Sequence, residues 1–295
     1  MWGARTIRRG EEGWPGALEL LPDPPEFLRI RGELPRKGER VVAVVGSRTA
    51  GPSGLEQARR IGAALARAGA WLVSGGAIGI DAAAHAGAVE AGGRTVVVLG
   101  GGLDHLYPAE NRGLFGRVVE TGGGLAAEAD DDQRPATWSF PKRNRIVAAL
   151  GEATVVVRAG ARSGALLTAG HAARLGQPVW VAAGVAGDEG AGLRQLAGGG
   201  AAEFRTMDEL AAGLGLESPG VPRTADADPG NLGGEAAALW SALDREPRGA
   251  DEVGRRAGVG PGAVLAGLME LELLGLVERR PGRGFARRDL GSQGD

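Results

Sequence analysis

Cysteine is absent from this 295-residue chain, which excludes disulfide bridges, thiolate nucleophiles and cysteine-held metals. No apolar run approaches the roughly 18 residues that a membrane-spanning helix needs, and no hydrophobic stretch follows the basic start from Met1 to Arg9. Neither a membrane span nor a signal peptide is therefore expected, and the sequence reads as a soluble cytoplasmic protein. Lysine is nearly missing as well: Lys37 and Lys142 are the only two, and arginine carries the remaining positive charge. With a net charge of -2, any site for a polyanion must be a local patch and not a property of the whole surface.

What is present is an alternation. Short Val-rich runs at 41–45, 71–73, 95–99, 153–157 and 179–182 are apolar on both faces, as strands of a buried parallel sheet are. Between the first two, Leu55, Ile61, Leu65 and Ala68 recur at helical spacing, with Ser53 and Glu56 placed as a capping box. Further helices are predicted from Asp81 and over 168–175. Strand, helix, strand at this spacing predicts an α/β domain over 39–216: a Rossmann-like, doubly wound, mostly parallel sheet. Residues 1–38, punctuated by Trp14-Pro15 and Leu21-Pro22-Asp23-Pro24-Pro25, read as an extended lead-in. The 54 glycines reflect composition bias in part, and those at strand ends carry the argument below.

In such sheets ligands sit at the carboxyl ends of the strands. The loops there are polar and glycine-rich: Gly46-Ser47-Arg48-Thr49, the Ser74 to Asp81 segment, Gly100-Gly101-Gly102, and Ser163 to Thr168. Glycines let backbone amides approach an anion, and the first turn of a following helix adds a favourable dipole. Any one loop also fits a plain tight turn; four on one edge point to phosphate. Phe140-Pro141-Lys142-Arg143-Asn144-Arg145 adds three cations and an aromatic, with no carboxylate between Gln133 and Gly151 to neutralise them locally. Such a run is often a solvated surface, yet cations that release counterions beside an aromatic face also suit unpaired nucleic acid.

Standard nucleotide motifs are missing. The first strand lacks G-x-G-x-x-G, and Gly46 to Gly51 opens like a P-loop but continues as Pro52-Ser53. Asp81 and His85 stand four apart, and Asp104 and His105 lie elsewhere, but H-E-x-x-H does not occur, so no metal and no other cofactor is expected. Asp81 fits a helix N-cap better, and His85 a packed or hydrogen-bonding residue. Ser74 and Ser163 lack the setting of a nucleophile elbow.

In order along residues 14–205, the chain shows Trp14-Pro15, Pro24-Pro25, Val45-Gly46-Ser47-Arg48, the Ser74 to Asp81 segment with Ala84-His85, Gly102-Leu103-Asp104 with Tyr107-Pro108 and Asn111, Phe140 to Ile146, and Ser163 to Ala169. Together these closely resemble the DNA processing protein A family (DprA, also called Smf). The resemblance implies an extended Rossmann-like domain that forms a homodimer, binds single-stranded DNA and helps load the recombinase RecA in natural transformation, without catalysis. Single-strand-binding protein is a further candidate partner. Carried over, Arg48, Lys142, Arg143 and Arg145 would contact phosphates, and the loops at Gly75, Gly79 and Gly164 would present amides. Tyr107, Asn111 and Asn144 would hydrogen-bond, and Phe140 would stack on a base or anchor its loop. Gly46, Ser47, Ser74, Asp81, Ser163 and Thr168 complete the expected site. The chain departs from the family pattern at Gly76, at Ala127 before Glu128, at Arg158, which adds charge near the site, and at Ala182-Ala183-Gly184. The family's frequent amino-terminal helical domain is not expected.

After Leu216 a linker composition covers 217–232. Helices over 235–243, 250–257 and 261–274 and a hairpin over 275–285 then read as a winged helix spanning 233–288, with a tail over 289–295. Its third helix carries Glu270 and Glu272 and no Lys or Arg, so it suits protein docking or backbone contact more than sequence reading. Arg279, Arg280, Arg283, Arg287 and Arg288 fall on the wing and tail. Two other classes remain open at this point. One is a phosphoribohydrolase-type enzyme, which would want P-G-G-x-G-T. The other is a winged-helix transcription regulator, against which the acidic third helix argues.

Overall fold

A computed structural model describes residues 3–216, 232, 234–260, 263–264, 267–268, 271, 276–280 and 284–287. The chain divides into two compact units, Met1–Ser218 and Pro219–Asp295. Among the described residues, no helix is long and apolar enough to cross a membrane.

The Val-rich runs form the middle of the first unit's sheet. β3 (Val41–Val45) lies between β4 (Trp71–Ser74) and β7 (Ala153–Val156), parallel to both, with every residue of the three buried. Outward on one side come β5 (Thr95–Leu99), β6 (Gly124–Ala127), β2 (Phe27–Gly32) and β1 (Arg5–Arg8); on the other, β8 (Val179–Ala182) and β9 (Ala202–Phe204). Helices α1 (Pro52–Arg67), α2 (Ile80–Glu90), α3 (Arg112–Glu120), α4 (Ser139–Leu150), α5 (Ala165–Arg174), α6 (Ala191–Gly198) and α7 (Met207–Gly213) connect the parallel strands or follow β9.

The lead-in needs correcting. Its prolines do punctuate the chain, but β2 pairs antiparallel with β6, and β1 caps β2. Leu28 and Ile30 alternate inward with Arg29 and Arg31, and both are fully buried, each contributing about 1.5–3 kcal/mol. Two segments of the lead-in, Arg5–Arg8 and Phe27–Gly32, are thus part of the sheet.

Two helix starts also differ from expectation. Gly51 is the N-cap of α1 and Pro52 its first residue, so Ser53 lies inside the helix, where its hydroxyl accepts from Arg158 instead of closing a capping box. A capping box does form at α7, between Thr206 and Glu209. Asp81 is not an N-cap either: Gly79 precedes α2, and Asp81 sits in its first turn.

In the second unit, α8 (Gly234–Ala242), α9 (Ala250–Ala257) and the hairpin of β10 (Val277–Arg280) with β11 (Gly284–Arg287) enclose Leu239, Leu243, Val253, Leu268, Leu271 and Phe285. Arg287 packs on Trp240, 4.4 Å from the ring centroid, and donates to its carbonyl at 2.7 Å, so this wing arginine is engaged in the fold. Glu270, Glu272, Arg283 and Arg288 lie outside the described residues, as do the side chains of Arg279 and Arg280.

Candidate nucleic-acid interface

From β3 the chain builds outward through β4, β5 and β6, then crosses back to β7 on the other side of β3. The loops after β3 and β7 therefore part, and a crevice opens at this switch point, where α/β sheets take their ligands. It is a cleft of about 720 Å³. Of the expected residues, Gly46, Ser47, Arg48, Gly75, Asp81, Phe140, Arg143, Asn144, Ser163, Gly164 and Thr168 line it. Tyr107 joins Arg48 and Phe140 around a smaller adjoining pocket. Ser74, Gly79, Asn111, Lys142 and Arg145 line neither.

The residues that stay out have structural work. Ser74 Oγ donates to the Val44 carbonyl at 2.6 Å, and Asn111 Nδ2 donates to the Gly76 carbonyl at 2.9 Å. Gly79 adopts φ +84, and a Cβ there would strike the Ser47 carbonyl, so glycine lets the β3 and β4 loops touch.

The Phe140 to Arg145 run is the first turn and a half of α4, not a loop, and a helix turns about 100° per residue, which sends its cations apart. Arg145 is buried: Nη1 and Nη2 donate to Glu128 at 2.9 and 2.8 Å, and Nε to the Asp23 carbonyl at 3.0 Å. Lys142 Nζ lies 3.3 Å from the same Glu128. The patch is therefore neutralised after all, by carboxylates distant in sequence. Arg143 points under the cleft and donates to the carbonyls of Gly75 and Val98. Burial pushes its guanidinium down to about 10, with Asp81 opposing the shift and Arg48 adding to it. Burial likewise raises the Asp81 carboxyl, against the pull of Arg143 and of the Ala77 amide. Arg158 is buried too, bonded to Gln57, Ser53 and the Val157 carbonyl, with Glu189 3.6 Å away; it adds no free charge to the cleft.

His85, one turn along α2 from Asp81, is fully buried. Thr95 Oγ1 spends its proton on the Leu72 carbonyl, so His85 Nδ1 is the donor in their 2.7 Å bond. Burial, then Arg143, pushes the imidazole down to about 3. A depressed folded value means that protons bind the unfolded chain first, so stability is full above the ordinary value of 6.5 and drains as pH falls towards 3. Asp81, raised in the fold, works in the opposite direction. Below pH 6.5 the stability difference between wild type and His85→Gln should accordingly shift by about 1.4 kcal/mol per pH unit, read by urea titration.

What remains open to a ligand is more compact than the sequence indicates. Arg48 is exposed, has no ion pair among the described residues and lies 5.5 Å over the Phe140 ring. Phe140 in turn contacts Tyr107, with ring centroids 5.6 Å apart and the rings tilted by 44°. Across the cleft stands Arg162, exposed and without a bonded partner among the described residues. Sequence reading missed it, although its place in the loop after β7 was the available signal. The N-terminal turns of α4 and α5 frame the same cleft, and Asn144 Nδ2 ties them by donating to the Gly164 carbonyl at 3.3 Å. Trp138, 61% exposed at the head of α4, was also missed.

This is an extended Rossmann-like α/β protein whose switch-point cleft joins free guanidinium, aromatic faces and helix amides, accompanied by a winged-helix domain. The model of the family described as DNA recombination-mediator protein A matches residues 5–215, and that of the DprA winged helix domain matches 222–283. The Smf proteins of Synechocystis and Escherichia coli are 32% and 34% identical over 93% and 95% of this chain and 78% and 76% of their own lengths. The structure of DNA processing protein A from Streptococcus pneumoniae superposes with a TM-score of 0.65 at 32% identity, covering 70% of this chain and 73% of that one. A Helicobacter pylori DNA processing protein A, described for its single-stranded DNA binding mode, superposes at 0.64 with 26% identity, over 72% and 96%. The chain belongs to the DNA recombination-mediator protein A (DprA/Smf) family, whose members act in DNA processing.

Proposed function

We propose that this protein binds single-stranded DNA in the cleft between the β3 and β7 loops and passes it to RecA recombinase during DNA uptake and recombination, as a homodimer and without chemical catalysis. The carrying observation is Arg48 over the Phe140 ring, facing Arg162 across one cleft and continued by Tyr107 in the adjoining pocket, which joins phosphate neutralisation to exposed base-stacking surface. A duplex keeps its base faces inside and gains nothing from that surface. The Helicobacter relative's single-strand binding supports the ligand, and the family's description as a recombination mediator supports the hand-over to RecA, with single-strand-binding protein as a further partner. A binding role agrees with the polar groups nearby: Ser163 Oγ in the cleft accepts from the Ala165 amide, while His85, fully buried and outside the cleft lining, donates to Thr95, so the two form no nucleophile and base pair.

The test is fluorescence anisotropy of labelled single-stranded DNA over a salt series, with duplex and mononucleotide competitors. Expected is steeply salt-dependent binding that duplex displaces at least about tenfold less well than single strands. Mononucleotide binding without single-strand binding would overturn the reading.

A further inference from the structure

Beside the main cleft, the small pocket of about 110 Å³ has an aromatic and aliphatic wall, Tyr107, Pro108, Phe140 and Ile78, and is lined as well by Arg48 and by Arg143, whose guanidinium is already committed to the Gly75 and Val98 carbonyls. Tyr107 is 51% exposed and Ile78 42%, and most large apolar side chains among the described residues are hidden. The same pocket holds Glu110, which is exposed and makes no hydrogen bond or ion pair among the described residues. A free carboxylate is out of place where phosphates are to gather, since it repels them. It is an acceptor only, and what it suits is a flat ring presenting N–H groups.

Resting on the single-strand reading above, we infer that this pocket is a base subsite in which Tyr107 and Phe140 pack the ring and Glu110 accepts from an exocyclic amine. Amino-bearing bases fit it. Guanine offers two adjacent donors, cytosine and adenine offer an amino group, and thymine has one N–H flanked by two carbonyls that the carboxylate repels. The protein therefore favours amino-bearing bases at this position while remaining indifferent to sequence along the backbone cleft.

Competition anisotropy with oligo(dC) and oligo(dT) of equal length, on wild type, Glu110→Ala and Tyr107→Ala, tests this. Strand flexibility and intrinsic stacking are common to all three proteins and cancel in the ratio of ratios. The dC-over-dT preference is expected to fall about fivefold or more in Glu110→Ala, chiefly because oligo(dT) binding improves. Tyr107→Ala should weaken both polymers and leave wild type's ratio nearly unchanged. An unchanged ratio in Glu110→Ala, or equal weakening of both polymers, would overturn the base subsite while leaving single-strand binding intact. If wild type binds neither polymer, the proposed function fails and this inference with it.

Discussion

Replacing Arg48 and Arg162 together by alanine is expected to weaken single-stranded DNA binding about 25-fold near 0.1 M salt and to flatten the slope of log K against log salt by about 1.4. The figure follows from counterion release at about 0.7 per phosphate on single strands, for two contacts. These two guanidiniums are chosen because they stand exposed on opposite walls of one cleft, and neither forms an ion pair among the described residues. Lys142→Ala should cost much less, since Glu128 already holds that ammonium at 3.3 Å. A salt series on the purified variants reads both numbers. An unchanged slope in the double variant would place the phosphates elsewhere.

Arg145→Ala should act on the fold instead. Its side chain is 7% exposed and Glu128's 16%, and the two are joined by a pair of near-parallel hydrogen bonds. Removing one partner of a buried pair costs about 3–5 kcal/mol where the other is left unpaired; Glu128 keeps Lys142 at 3.3 Å, so the expected loss lies at or just below the lower end of that range. The loss should appear as a fall in the urea midpoint at unchanged m-value. Joint replacement by apolar residues, Arg145→Met with Glu128→Leu, should recover most of it, because an ion pair this buried offsets its own desolvation poorly. A variant that loses Lys142, Arg143 and Arg145 together would thus lose DNA binding by unfolding, and tells little about contacts.

The difference between these two experiments shows where the sequence was legible. β3, β4, β5, β7 and β8 announce themselves as Val-rich runs, and the loops at their ends led to most of the cleft wall. β6 did not, because Gly-Leu-Ala-Ala carries almost no strand preference and is held by neighbours on both sides. β2 carries the period of two in Leu28 and Ile30, but flanking prolines masked it. The basic run misled for a geometric reason: adjacent cations in sequence diverge on a helix, and the partners that claim them, the Glu128 carboxylate and the carbonyl and carboxylate of Asp23, lie 17 and 122 residues from Arg145. Arg158 misled in the same way, since its partners come from α1 and from the turn at Glu189. Ion pairing across such separations leaves no local trace in sequence.

The pairing of β3 with β7 also sets when the cleft comes into being. Val42 lies opposite Ala153, so the two loops that form the crevice cannot meet until over a hundred intervening residues have been made and folded. Contacts of that sequence separation form slowly, because loop closure must be complete before they return any stability. A nascent chain on the ribosome, or one cut short before β7, therefore displays Arg48 without its opposite wall. On the proposed reading, affinity for single strands would be acquired only at the end of folding, and a bound strand would in turn stabilise the finished domain as a whole.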